Sequence, residues 1–113
     1  MALSKEQILA AKDFTSEIVK VPEWGGDVHI RTMSGADRDA YHLAMQEEKA
    51  AVGKFESLLL ALTLADENGA LLFTLAEVET LCAKSAAVLD KLAKESLRIN
   101  GMTTEAKEEA AKN

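Results

Sequence analysis

From Ala36 to Ala65 the apolar residues keep one helical phase. Stepping about 100° per residue puts Ala44, Ala51, Phe55, Leu58, Leu59 and Leu62 within a single arc, with Tyr41 at its edge. A stretch with that period cannot hide its apolar side as a strand, where successive side chains alternate between faces. The expectation is one long helix over 36–65. The alternative is a loosening or break near Glu48 to Gly53, where glycine costs about 1 kcal/mol against alanine. Ser34-Gly35-Ala36-Asp37 opens the helix, with Ser34 as N-cap and Asp37 and Asp39 beside the positive end of the helix dipole. Leu43, Leu60 and Leu64 fall off the main arc, so the helix is expected to be covered in part on two sides.

The other segments are bounded by their caps and turns. Leu3-Ser4-Lys5-Glu6-Gln7-Ile8 has the form of a capping box, with Leu3 and Ile8 as a hydrophobic staple, opening a short helix from Lys5 to about Lys12. The β-branched residues Ile18, Val19 and Val21, then Val28, Ile30 and Thr32, favour two strands joined across Glu23-Trp24-Gly25-Gly26-Asp27. That hairpin, about 16–33, is expected to lie on the helices with Val28 and Ile30 inward and His29 and Arg31 toward water. Pro22 marks a strand end or edge, since it cannot donate to a ladder. Asp66-Glu67-Asn68-Gly69 is a turn by composition, and Leu71, Leu72 and Phe73 make a short extended return. Thr74-Leu75-Ala76-Glu77 is a second capping box, with Phe73 and Val78 as its staple. Helices over about 75–83 and 85–100 follow, or one helix bent at Lys84-Ser85.

On the last of these, Val88, Leu89, Leu92 and Ile99 share one arc, and Ala86, Ala93 and Leu97 share another. Gly101 suits a C-cap. Residues 103–113 carry alanine and charge without a large apolar side chain and read as a polar C-terminal tail. The fold class is mainly α (α+β). A single helical domain over 1–102 is expected, of about four to five helices with one β-hairpin near the N-terminus.

Several function classes fall away on composition. With 13 Lys and Arg against 19 Asp and Glu, the 113-residue chain has a formal charge of −6, which disfavours a nucleic-acid backbone or an anionic membrane surface as partner. The longest apolar run, Leu58 to Leu62, is far short of the roughly 20 residues needed to cross a bilayer. The start, Met1 to Glu6, lacks the basic and apolar regions of a signal peptide. The lone Cys82 allows no internal disulfide, so a cytoplasmic location is expected.

No catalytic or cofactor machinery is visible. His29 and His42 have no metal-ligand spacing, and Cys82, beside Leu81 and one turn from Val78, reads as a small buried hydrophobe. A calcium loop through Gly69 would place Leu64 and Leu75 at ligand positions, and neither can coordinate. Glu47-Glu48 and Glu108-Glu109 diverge on a helix and read as solvated faces. Neither enzymatic activity, a metal nor a cofactor is expected. Trp24, at a glycine-rich hairpin tip, either folds back as a lid or stands out as an interface anchor; the lid is the leading reading.

The order of segments resembles the phage tail assembly chaperones of long-tailed phages. The residues that carry it are Val21-Pro22-Glu23-Trp24-Gly25-Gly26 with Val28 and Ile30-Arg31, and Ser34 to Asp39. Leu64 to Gly69 before Leu72-Phe73-Thr74, then Ala83-Lys84-Ser85 and Leu97 to Met102, complete the set. The resemblance implies a non-enzymatic protein that binds the tape measure protein and keeps it soluble until the tail tube polymerises around it. It further implies a place in the bacterial host cytoplasm and absence from the finished virion. The tail tube protein would be a second partner, and a homo-oligomer is expected. Trp24, Leu43, Leu60, Leu64 and Leu97 are the candidate contacts for the partner or for self-association. The simpler reading of the leucine arcs is burial within the monomer. A minor tail or head protein of the virion, or a non-enzymatic adaptor, is the alternative.

Overall fold

The computed structural model describes residues 2–47 and 52–102. Helix α1 (Lys5–Ala10) precedes strands β1 (Ser16–Val21) and β2 (Gly26–Arg31), then α2 (Gly35–Glu47) and α3 (Val52–Ala61). A short strand β3 (Leu64–Ala65), α4 (Val78–Cys82) and α5 (Ala86–Ile99) complete the chain. This is the expected α+β class with an N-terminal hairpin, with one strand more than expected. Of the stretch Glu48 to Gly53, where a loosening or break is the alternative, residues 48–51 lie outside the described residues, as does the polar tail at 103–113, while Val52 and Gly53 belong to α3.

The short-range signals act as the sequence suggests. Ser4 and Gln7 exchange both bonds of a capping box, the Gln7 N–H donating to Ser4 Oγ at 3.1 Å and the Ser4 N–H to Gln7 Oε1 at 2.8 Å. Leu3 and Ile8 nevertheless stay exposed, so the expected staple buries little. β1 and β2 pair from Ser16↔Arg31 to Val21↔Gly26, and the link is a 3-10 turn over Pro22–Trp24 closed by Gly25 at φ 79°. Glycine reaches that left-handed backbone at little cost. Ser34 Oγ accepts the Asp37 N–H at 3.1 Å. Asp66 Oδ1 accepts from Asn68 and Ala70 and fixes the turn, with Gly69 at φ 88°. Gly101, at φ 66°, ends α5: its N–H donates to Arg98 O while the Met102 N–H donates to Leu97 O.

Helix α3 does not run to Ala65. It stops at Ala61, and Leu64–Ala65 extends to pair antiparallel with Ile30 and His29 of β2. Two effects end the helix. The Leu62 N–H is shared between Leu58 O and Leu59 O, and the Thr63 N–H tightens to Leu60 O, so the next turn no longer forms. Thr63 O then accepts the Arg31 N–H at 2.8 Å, and the Leu72 N–H donates to Leu64 O at 3.0 Å. The free edge of β2 therefore gains partners that a continued helix would have denied it. The Leu59 carbonyl, left without its usual amide, accepts from Thr63 Oγ1 at 2.8 Å, and Ser96 Oγ donates to Thr63 Oγ1 at 2.9 Å. These three residues are buried, so the hydroxyl chain satisfies groups that no water reaches.

As the central strand, β2 presents different surroundings from those expected. Val28 and Ile30 do face the core, but His29 and Arg31 are half-buried rather than turned to water. Arg31 Nη1 donates to Gly69 O at 2.8 Å, and its guanidinium lies 4.4 Å from the Phe14 ring centroid. The expected helix over 75–83 begins as a 3-10 turn, Leu75–Glu77, before α4. Cys82 is half-buried at the end of α4 rather than enclosed.

One core cluster joins the inner face of the hairpin to α3, α4 and α5 through Val21, Ile30, Leu60, Leu64, Leu81, Leu89 and Leu92. A second, smaller cluster joins Tyr41, Leu59, Leu62 and Ala93, with Met33 and Leu97 packed on it. Asn100 ties the two halves. Its Oδ1 accepts the Met33 N–H at 2.7 Å, and its Nδ2 donates to Ser96 O at 2.9 Å.

Candidate partner-binding surfaces

The five candidate contacts separate by accessibility. Leu60 and Leu64, off the apolar arc in sequence, are 0% and 1% exposed and fill the hairpin-side core. They have no surface to offer a partner. Leu43 points the other way and is 54% exposed on α2. Trp24 and Leu97 are half-buried, packed on the first and second clusters respectively. Trp24 thus lies back on the core as a lid while keeping one accessible side.

That side lines a recess of about 420 Å³ with Phe73, Leu81, Thr80, Glu23 and Lys84. The Lys84 ammonium stands 5.9 Å from the Trp24 ring centroid, within cation–π reach. Lys91 Nζ lies 3.9 Å from Glu23 and donates to Lys20 O at 2.9 Å. The charges around this recess are therefore matched within the chain.

A second recess, of about 320 Å³, opens between α2, α3 and α5. Its floor is Tyr41, Leu59 and Ala93; Met45, Phe55 and Leu97 form its sides, and Glu56, Asp90 and Lys94 its rim. Lys94 Nζ is 3.1 Å from Asp90 Oδ2. Burial, and then a hydrogen bond with the Asp90 carboxyl, hold Glu56 above the usual carboxylate range. The Asp90 carboxyl is held below its usual value by its hydrogen bonds to Lys94 and Glu56. Burial, reinforced by Glu56, pushes the Tyr41 phenol up. Two acids thus face one base at the edge of an apolar hollow.

Other apolar surface was not singled out from the sequence. Leu3, Ile8 and Leu9 on or beside α1, Phe14, Ile18 on β1 and Met45 on α2 are all largely exposed. Ile8 appeared only as half of a staple, and nothing in a six-residue helix announces that its apolar face finds no cover.

No cluster of three or more metal-ligating side chains occurs among the described residues. His29 lies on β2, His42 on α2 and Cys82 on α4, so the three sit on separate elements. Among the described residues, no helix is long and apolar enough to cross a membrane.

Residues 4–113 match the sequence model of a family described as phage tail assembly chaperones. The fold is similar to that of the tail assembly chaperone of bacteriophage HK97. The TM-score is 0.64 at 25% identity, over 83% of this chain and 90% of that one. No curated protein sequence matches the chain.

Proposed function

The chain belongs to the phage tail assembly chaperone family, and from that premise we propose that it binds the tape measure protein and keeps it soluble while the tail tube polymerises. The observation that carries this reading is apolar side chains left outside a core that is already filled. Ile30, Leu60, Leu64 and Leu92 are sealed, while Leu43, Met45, Ile8, Leu9 and Leu75 stand in solvent. Ile8 with Leu9 on α1 and Leu43 with Met45 on α2 are close in sequence on their helices, and such exposed apolar groups are surface that a partner can cover. An elongated, helix-rich partner can be shielded by apolar surface laid along it, as in helix-in-groove recognition. Trp24, Leu43 and Leu97 keep accessible surface and are the proposed contacts, for the partner or for self-association.

The action proposed is binding without catalysis, in the bacterial cytoplasm, by a protein absent from finished particles. The tail tube protein is a second proposed partner. Co-expression with the tape measure protein of the same phage tests the reading: its soluble yield should rise and the two should co-purify. An insoluble tape measure protein with no co-purification would overturn it. Mass spectrometry of purified particles tests the second half, since stoichiometric presence there would mark a structural component instead.

A further inference from the structure

The two sides of the sheet are finished differently. Beyond β3 the chain returns on itself, the Leu72 N–H donating to Leu64 O at 3.0 Å and the Asp66 N–H to Ala70 O at 2.8 Å. β1 has no such neighbour, since the strand order is β1-β2-β3. Its pairing with β2 fixes which backbone groups face outward. The Thr32 N–H donates to Thr15 O at 2.9 Å, so the bonded pairs alternate from there through Glu17↔Ile30, Val19↔Val28 and Val21↔Gly26. Ser16, Ile18 and Lys20 therefore turn their N–H and C=O groups away from the sheet, and all three residues are exposed. Of these six groups, only Lys20 O has a partner among the described residues, the Lys91 ammonium at 2.9 Å.

Folded chains guard an open edge with proline, a bulge, charges or a covering helix. Here the register runs unbroken over Ser16 to Val21, and Pro22 stands just past the strand. Ser16, Ile18 and Lys20 share the outer face, where Lys20 is the one charge and Ile18, at the centre, is 62% exposed. We propose that this edge takes up an extended segment of a partner protein as a further antiparallel strand, with the five free backbone groups of Ser16, Ile18 and Lys20 as its hydrogen-bonding rail. A partner helix has no use for these groups, because its own amides and carbonyls are bonded internally.

The outer face states the chemistry of the segment. Opposite Ile18 it carries a β-branched or aromatic residue, which covers the isoleucine. The Lys20 ammonium makes no ion pair among the described residues, so the residue opposite it, two places earlier in an antiparallel strand, is acidic. This edge is separate from the apolar helical side chains proposed to hold the tape measure protein. It goes beyond that reading, and its test does not involve the tape measure protein.

The probe is the blocked peptide acetyl-Thr-Glu-Thr-Val-Thr-Ser-Thr-amide, titrated into the isotope-labelled full-length chain and followed by amide shifts and hydrogen exchange. The Ser16, Ile18 and Lys20 amides should shift and slow in exchange about tenfold, while those of Glu17 and Val19 keep their rates. Ile18→Pro removes the central donor. That N–H is unbonded within the chain, so circular dichroism should show the fold retained while peptide binding is lost. Lys20→Glu should weaken binding about fivefold, and a peptide with lysine in place of glutamate should recover it with that variant. The proposal is overturned by no change at the three amides with peptide up to about 5 mM, by shifts confined to other elements, or by binding that neither substitution alters. Protection of the same amides that rises with chain concentration, without peptide, also overturns it, since the occupant is then a second copy.

Discussion

Replacing Asn100 by alanine tests whether one side chain couples the hairpin to α5. Three bonds are lost, and they are unequal. Ser96 O keeps the Asn100 main-chain N–H at 3.0 Å, so losing Nδ2 there costs little. The contact from Nδ2 to Arg31 O is 3.4 Å, long enough to be weak. The Met33 N–H, bonded at 2.7 Å, has its acceptor removed in a half-buried setting. An orphaned amide of that kind costs about 1–2 kcal/mol, which in a domain of this size lowers Tm by about 4–8 °C. Asn100→Asp keeps the acceptor but places a carboxylate at the negative end of α5, at a cost of about 0.3–1 kcal/mol. The order of stability should be wild type, then Asp, then Ala, measured by urea unfolding followed in the far ultraviolet. An alanine variant within about 0.5 kcal/mol of wild type would refute the reasoning.

Leu60→Ala should cost about 2–5 kcal/mol through transfer and cavity terms, whereas Leu43→Ala, on an exposed position, should stay within about 0.5 kcal/mol; the same unfolding curves compare them. Trp24→Ala should cost about 2 kcal/mol, less than the about 3–5 kcal/mol of a fully buried aromatic, and an unchanged midpoint would show that the indole packs on nothing. Glu56 is held above its unfolded value, so its favourable contribution is present below that value and is lost as pH rises through the folded one. Glu56→Gln, which cannot ionise, should therefore melt higher than wild type at neutral pH and converge with it in acid; a gap that widens on acidification would reverse the sign. Asp90 works in the other direction, its contribution being lost as pH falls through its lowered value.

Apart from the hairpin, whose strands are joined across one short turn, the features legible in the chain were those whose partners lie within about five residues. Ser4 with Gln7, Ser34 with Asp37, the Asp66 turn with Gly69, and the Leu97 to Met102 cap are each closed by neighbours, so composition and spacing were enough to find them. The arc of Val88, Leu89 and Leu92 likewise announced the buried side of α5. Of the candidate contacts, the helical phase that set Leu60 apart was real, but it marked the hairpin-side core and not a docking face, and Leu64 joins the same core from β3. Exposure of Ile8 and Leu9 could not be read at all, because a short amphipathic helix looks the same whether or not something covers it.

Local hydrogen bonding and helical period were settled by the sequence alone, since both depend on residues a turn apart. Where α3 ends was settled only by the tertiary structure. Leu62 to Ala65 could continue the helix by period, yet the amide of Arg31 and the backbone of His29 and Ile30 wait more than thirty positions earlier in the chain. Pairing that edge satisfies buried polar groups on β2, while Thr63 and Ser96 cover the carbonyl the helix gives up. A choice between two local conformations of similar cost falls to whichever leaves fewer buried groups unbonded, and that is known only once the distant strand is in place.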